Sequence, residues 1–290
     1  MRIFIRLLRS LLLIMPKRLR LTIKYGESPH LKITKYPDGQ QNVTLDLEYF
    51  NNPRIKVDIY CTIRNWHEME LLLAALSALR QADYIVHDIN IAYLFGMRSD
   101  RIFELGMGHY WRDVVVPILQ FICVTYKVTL RFLQLHGRCE NYLNDPHIYY
   151  HSLNFNIATK LPIAGDKSAI SIIEGYEHFW GREDKVIHFT KKRQSTGEIE
   201  IHLPERFVEK IEQSELPLII MDDLCDGGAT FIAEADILRD LFPDKKIELF
   251  IYHGLFTKGI EHVARHFDRI YMTNSYQEIV HPKVKLLKVI

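Results

Sequence analysis

"IIMDDLCDGGATF", residues 219–231, runs from three apolar residues into two adjacent carboxylates, then a third carboxylate, two glycines and a threonine. "LPLIIMDD" (216–223) reads as a buried strand whose carboxyl end carries Asp222 and Asp223, and "TFIAEADILRDL" (230–241) reads as the helix that follows. In open α/β sheets, ligands bind outside the carboxyl ends of parallel strands. Gly227 and Gly228 let backbone N–H groups turn inward, and the helix N-terminus adds positive dipole, so the loop from Asp226 through Ala229 can cradle a phosphate. Thr230 adds a hydroxyl donor. Carboxylates do not attract phosphate, so Asp222 and Asp223 face sugar hydroxyls or a divalent cation. A phosphorylated sugar meets both needs. The plainer alternative is a strand-turn-helix whose aspartates cap the helix and whose glycines only turn the chain. D-D-x-x-D-G-G-x-T is more specified than such a turn requires, and it is not a Walker loop, because no G-K-[ST] follows.

Outward from this stretch, short apolar strand-like runs alternate with helical patterns, the signature of an α/β fold with a parallel sheet. "KVDIYCTI" (56–63) is a strand, "HEMELLLAALSALRQ" (67–81) a helix, "DYIVHDINIAYL" (83–94) a strand, "YWRDVVVPILQFIC" (110–123) a helix and "KVTLRFLQL" (127–135) a strand. The polar, aromatic "NYLNDPHIYYHS" (141–152) interrupts, and the alternation restarts with "KLPIAGDKSAISII", "KVIHFT", "LPLIIMDD", "KIELFIYHG" and "DRIYMTN". The expected organisation is a basic, apolar N-terminal extension (1–26), a domain over 27–145 and a second over 146–290, each a mainly parallel sheet flanked by helices.

The 290 residues are 48% hydrophobic and 25% charged, enough for two domains of common size. The 37 basic and 36 acidic residues nearly cancel, so no global field points to nucleic acid as partner. In "MRIFIRLLRSLLLIMPKRLRLTIKYGE" the longest apolar run, Leu11 to Met15, is far short of the roughly 20 residues a membrane span needs. An amphipathic helix or a hairpin is the expected form of this segment. Cys61, Cys123, Cys139 and Cys225 are dispersed without C-x-x-C spacing, which argues for free buried thiols and a reducing, cytoplasmic setting.

"IIMDDLCDGGAT" resembles the phosphoribosyl-pyrophosphate (PRPP) loop of type I phosphoribosyltransferase folds, and further motifs resemble the ribose-phosphate diphosphokinases, or PRPP synthetases, in the same order along the chain. "YPDGQQNV" (36–43) resembles the Phe-Ser-Asp-Gly-Glu segment that holds adenine across a subunit boundary, placing Asp38 and Gln40. "NWHEMELLLAALSALRQAD" resembles the Asn-Asp-x-x-Met-Glu-Leu-Leu helix. "YLFGMRSDR" (93–101) resembles the ATP loop, placing Arg98, Ser99 and Arg101. "LQLHGRC" places His136 and "IAGDKSA" places Asp166, both toward Mg²⁺. "HFTKKRQSTGEIEI" (188–201) resembles the catalytic loop, placing Lys191 and Arg193. The resemblance covers roughly residues 30 to 290 and implies two tandem phosphoribosyltransferase-like domains. It also implies ATP and ribose 5-phosphate as substrates, Mg²⁺ as cofactor and a homo-oligomer built from dimers, commonly a hexamer.

The departures are specific. Gln40 stands where the family has glutamate, Ser99 where it has glutamine, and Thr190 where it has aspartate; Asp166-Lys167-Ser168 replaces Asp-x-Gly, and Gly227-Gly228-Ala229 replaces Thr-Ala/Gly-Gly. They suggest a divergent, phage-type branch and leave the charged groups in place. The chemistry itself calls for those groups, because diphosphoryl transfer concentrates negative charge that cations must neutralise. Taken singly, each residue has a plainer reading: solvated loop charges for Lys191 and Arg193, a structural imidazole for His136, a helix cap for Asp166, an ion-pair network through Asp100 for Arg98 and Arg101. Trp66, His109 and Trp111 lie in helical patterns where packing is the expected role. The alternatives to a synthetase are a PRPP-dependent phosphoribosyltransferase, against which the ATP motifs speak, and a catalytically silent regulatory relative, against which Lys191, Arg193, Asp222 and Asp223 speak.

Overall fold

A computed structural model describes residues 18–53, 55–102, 104–143, 146–150, 153, 155–176, 186–193 and 199–290, with the backbone alone at Tyr150, Lys192, Arg193 and Ile199. The chain divides into two compact units: one runs to Gly96 and includes Ile102–Phe132 and Tyr142–Tyr149, and the other comprises Met97–Arg101, Leu133–Asn141 and Tyr150–Ile290. Both are parallel α/β assemblies, as the alternation of strand and helix patterns requires.

The first unit contains β1 (Leu19–Ile23), β2 (Leu31–Lys35), β3 (Gln41–Leu45), β4 (Lys56–Ile63), α1 (Trp66–Gln81), β5 (Ile85–Leu94), α2 (Val116–Tyr126), β6 (Thr129–Phe132) and β7 (Ile148–Tyr150). Its five-stranded sheet has the order β1-β4-β5-β6-β7, and the β1/β4, β4/β5 and β5/β6 pairs are parallel. The antiparallel β2–β3 hairpin stands outside that sheet. Helix α1 starts where the Asn65 side chain accepts the Glu68 N–H at 3.0 Å, and it buries Met69, Leu72, Leu76 and Leu79 at helical spacing. Helix α2 is preceded by one π-helical turn over Trp111–Val115 and tolerates Pro117 because its first-turn amides need no intrahelical partner.

Strand β1 corrects the reading of the N-terminal segment. Residues 1–17 lie outside the described residues, but Leu19–Ile23 is neither amphipathic helix nor hairpin: it is the edge strand beside β4. Leu21 and Ile23 are buried while Arg20 is exposed, a period-two pattern hidden by the surrounding arginines.

The second unit contains β8 (Leu161–Ala164), α3 (Ile170–Glu174), β9 (Ile187–His188), β10 (Thr190–Arg193), β11 (Ile199–His202), α4 (Val208–Glu212), β12 (Leu218–Cys225), α5 (Ala229–Leu241), β13 (Ile247–Gly254), α6 (Ile260–Ala264), β14 (Arg269–Thr273) and β15 (Val284–Leu287). Its six strands lie in the order β15-β14-β13-β12-β8-β9, all pairs parallel. Strands β10 and β11 form a separate antiparallel ribbon. Both faces of the sheet are covered, so β12 reads as a continuous apolar run rather than an alternating one. Leu218 and Ile220 pack with Phe231, Leu238 and Leu249 on one face, and Ile219 and Met221 with Ile172, Phe250 and Tyr252 on the other. Each such side chain contributes about 1.5–3 kcal/mol of transfer free energy.

From β8 the chain steps outward to β9, and from β12 it steps outward in the other direction through β13, β14 and β15. Strand order therefore reverses between β8 and β12, and the crevice outside their carboxyl ends is a topological switch point. No helix among the described residues is long and apolar enough to cross a membrane. All four cysteines are buried, and none is joined in a disulfide.

Candidate active site

The strand period of two sends Asp222 and Asp223 to opposite faces at the end of β12. Asp223, 9% exposed, turns toward His136: its Oδ1 lies 2.9 Å from Nδ1, and its Oδ2 accepts the Gly137 N–H at 3.4 Å. Asp222 turns toward the end of β8. A Cβ at Gly165 would lie 2.8 Å from Asp222 Oδ2 and 3.5 Å from Glu234 Oε2, so only glycine admits that carboxylate. Burial, then the neighbouring charges of Asp223 and Asp166, raise the Asp222 pKa well above the carboxylate range, with Lys191 opposing.

Lys191 projects from β10 with Nζ 3.4 Å from Asp166 Oδ2 and 3.3 Å from Glu234 Oε1. Burial disfavours its charge, but Glu234, Asp166 and Asp222 outweigh that and raise its pKa. Asp166 serves two purposes on two oxygens. Its Oδ1 caps the turn before α3, accepting the N–H of Ser168 at 2.8 Å and of Ala169 at 3.3 Å as well as the Ser168 hydroxyl, while Oδ2 meets Lys191. Burial works against its ionisation, yet Lys191 and the Ser168 bonds bring its pKa below the ordinary value. Arg193 lies two residues further along β10, and its side chain is outside the described residues.

The loop between β12 and α5 is tightly built. Gly228 has φ +84°, and a Cβ there would come within 2.3 Å of Val263 Cγ2, so both backbone and packing exclude a side chain. Ala229 and Thr230 open the first turn of α5, whose amides have no intrahelical partner. Asp226 is anchored from both sides, with Oδ1 accepting the Thr257 hydroxyl at 2.6 Å and Oδ2 paired to Arg98 Nη1 at 2.6 Å. The Thr257 bond first, and the Arg98 charge with it, hold the Asp226 carboxyl below the usual range against some desolvation. The Lys258 side chain lies against Gly227.

Two clefts open here. One, of about 320 Å³, is lined by the 222–231 loop together with Arg98, His136, Asp166, Ser168 and Lys191. The other, of about 740 Å³, is lined by Asp100, Arg101, Arg138, Phe189 and Thr190 among others. His136, Asp166, Ser168 and Lys191 wall both clefts. Burial disfavours the His136 charge, but the Asp223 hydrogen bond and the carboxylates of Asp223, Asp222 and Asp100 raise its pKa above imidazole's ordinary value.

The second unit thus brings together Arg98, Arg101, His136, Asp166, Lys191 and residues 222–230. Ser99 sits half-buried in the turn over Met97–Ser99. Asp38 and Gln40 lie exposed on the β2–β3 turn of the first unit, where Asp38 Oδ1 accepts the Gln40 N–H at 3.1 Å. In that unit Asp58, His87 and Asp88 also gather ligand atoms, but Arg18 and Arg131, each 3.1 Å from a carboxylate, already match the charge. The sequence reading missed Glu234 and Lys258. Glu234 had a signal, because it occupies the apolar stripe of Phe231, Ala235 and Leu238.

No family model matches the chain. It is 27% identical over 256 residues to a ribose-phosphate pyrophosphokinase of Pyrococcus furiosus, covering 85% of this chain and 86% of that protein. It is 26% identical over 260 residues to a ribose-phosphate pyrophosphokinase of Thermococcus kodakarensis, covering 84% and 85%. The crystal structure of phosphoribosylpyrophosphate synthetase from Mycobacterium smegmatis superposes with a TM-score of 0.65 at 13% identity, over 89% of this chain and 86% of that one. In sequence over most of its length the chain is similar to ribose-phosphate pyrophosphokinases, and in fold to a phosphoribosylpyrophosphate synthetase, the resemblance that its motifs carry.

Proposed function

We propose that the chain is a ribose-phosphate diphosphokinase, transferring the diphosphoryl group of ATP to O1 of ribose 5-phosphate to give PRPP and AMP. The observation that carries this reading is the pair of clefts sharing one wall of His136, Asp166, Ser168 and Lys191, as a two-substrate transferase needs. In the smaller cleft, Asp222 and Asp223 accept hydrogen bonds from the ribose hydroxyls, and the amides of 227–230 with the Thr230 hydroxyl take the 5-phosphate. Arg98, Ser99 and Arg101 bind the ATP phosphates, with Asp38 and Gln40 on the adenine. The adenine assignment, which the family shares between subunits, carries with it a homo-oligomer built from dimers.

The O1 hydroxyl attacks the β-phosphorus and gives up its proton to solvent, the bond from the β-phosphorus to the α–β bridging oxygen breaks, and AMP leaves with that oxygen. Charge accumulates on the transferring oxygens, and Lys191 and Arg193 neutralise it. Mg²⁺ suits the oxygen-rich wall: Asp166 and the substrate phosphates are hard donors, and His136, whose Nδ1 is engaged by Asp223, has Nε2 for a ligand. Asp166 and His136 would hold such an ion, which would supply neutralisation of the phosphate charge.

Incubating the purified protein with Mg²⁺, ATP and ribose 5-phosphate and following ³¹P NMR tests the proposal, with AMP and PRPP expected in equal amounts. Lys191→Ala lowers the rate by at least about 100-fold while the protein stays folded. If neither product forms although calorimetry detects PRPP binding, the diphosphokinase reading falls.

A further inference from the structure

Glu234 is a carboxylate where α5 should be apolar. It shares the buried stripe of Phe231, Ala235 and Leu238, has 0% of its surface exposed, and neither oxygen makes a hydrogen bond of good geometry with a described residue. A carboxylate so placed is costly unless a charge answers it. The answering charge is the Lys191 ammonium, 3.3 Å from Oε1, while Oε2 faces the Gly165 backbone beside Asp222. Lys191 is thus held from two sides: by Asp166 at the rim, 34% exposed, and by Glu234 at the floor. Asp166 is the partner that substrate or cation can draw away, and Glu234 is sealed from both.

We infer that Glu234 is a positioning residue that holds the Lys191 ammonium over the shared wall of the two clefts. It touches no substrate and acts through Lys191, so its place in turnover rests on the diphosphokinase reading, whereas its hold on Lys191 does not. Because the pairing is electrostatic, the isosteric Glu234→Gln releases the ammonium without changing the packing, and Glu234→Met does so without a polar atom.

Two readouts separate the claims. The first is competitive acylation of the full-length protein by acetic anhydride, with Lys191 labelling measured by mass spectrometry relative to exposed Lys32. Lys191 reacts several-fold faster in Glu234→Gln and in Glu234→Met than in the parent; an unchanged ratio in both overturns the pairing. The second is turnover: Glu234→Gln lowers kcat by about 10- to 100-fold, moves the KM for ribose 5-phosphate by less than about threefold, and adds no further loss in a Lys191→Ala background. An equal loss in both backgrounds, or unchanged kcat despite faster labelling, overturns the positioning role. If the parent protein makes no PRPP, the diphosphokinase reading fails and the labelling ratio alone judges the Glu234–Lys191 pair.

Discussion

Gly228→Ala tests the reasoning that builds the phosphate loop. The substitution meets two separate penalties. An L-residue at φ +84° costs about 1–2 kcal/mol, because its Cβ crowds the following carbonyl. The new Cβ would also stand 2.3 Å from Val263 Cγ2, and Val263 is 0% exposed, so it has nowhere to retreat. Overpacking of that kind costs about 1–3 kcal/mol. The sum is about 2–5 kcal/mol, and a loss near 3 lowers Tm by about 6–12 °C for a unit of this size. Urea denaturation followed by intrinsic fluorescence measures it. Val263→Ala destabilises the parent by opening a cavity, yet it stabilises Gly228→Ala by about 1 kcal/mol or more, because the two changes share one space. Stability of Gly228→Ala within about 0.5 kcal/mol of the parent refutes the argument.

Gly165→Ala has a different profile: the atom in its way is the end of the Asp222 side chain, which can swing, so stability changes by less than about 1 kcal/mol while the KM for ribose 5-phosphate rises at least about tenfold. A stable variant with parental KM would remove Asp222 from the sugar site. Arg98→Ala breaks an ion pair whose side chains are 61% and 35% exposed, so unfolding free energy falls by less than about 1 kcal/mol. The KM for ATP rises; an effect confined to ribose 5-phosphate would instead make Arg98, which lines the 222–231 cleft, a contact of the sugar phosphate. His253, 0% exposed, has its pKa pushed down to about 4 by burial, with Nε2–H donating to the Gln134 carbonyl at 3.0 Å and Nδ1 facing the Ser275 hydroxyl at 2.8 Å. The unfolded chain takes a proton near pH 6.5 and the folded one near 4, so this contribution is complete above pH 6.5 and is lost as pH falls toward 4. Between pH 7 and 4.5 the parent loses about 2 kcal/mol more stability than His253→Gln, read from urea midpoints; equal losses refute the shift.

What was legible in the sequence is what short-range physics writes there. The apolar run of 216–221 followed by paired aspartates requires a buried strand ending in charge, and β12 does end so. The glycines of 227–228 require a turn a side chain cannot make, and the apolar spacing of α1 requires a helix lying on a sheet. Where flanking charges overwhelmed a five-residue pattern, as at β1, the local signal misled, because a short edge strand is decided by the neighbour it pairs with. The tertiary structure alone decided which charges meet. Asp166, Lys191, Asp222 and Glu234 come from β8's end, a ribbon, β12 and α5, and only the strand order that reverses between β8 and β12 brings them together. Read along the chain, Glu234 is one polar residue in a helix and Asp166 a cap. Electrostatic energy depends on separation in space and on the exclusion of water, and neither is a property of sequence distance.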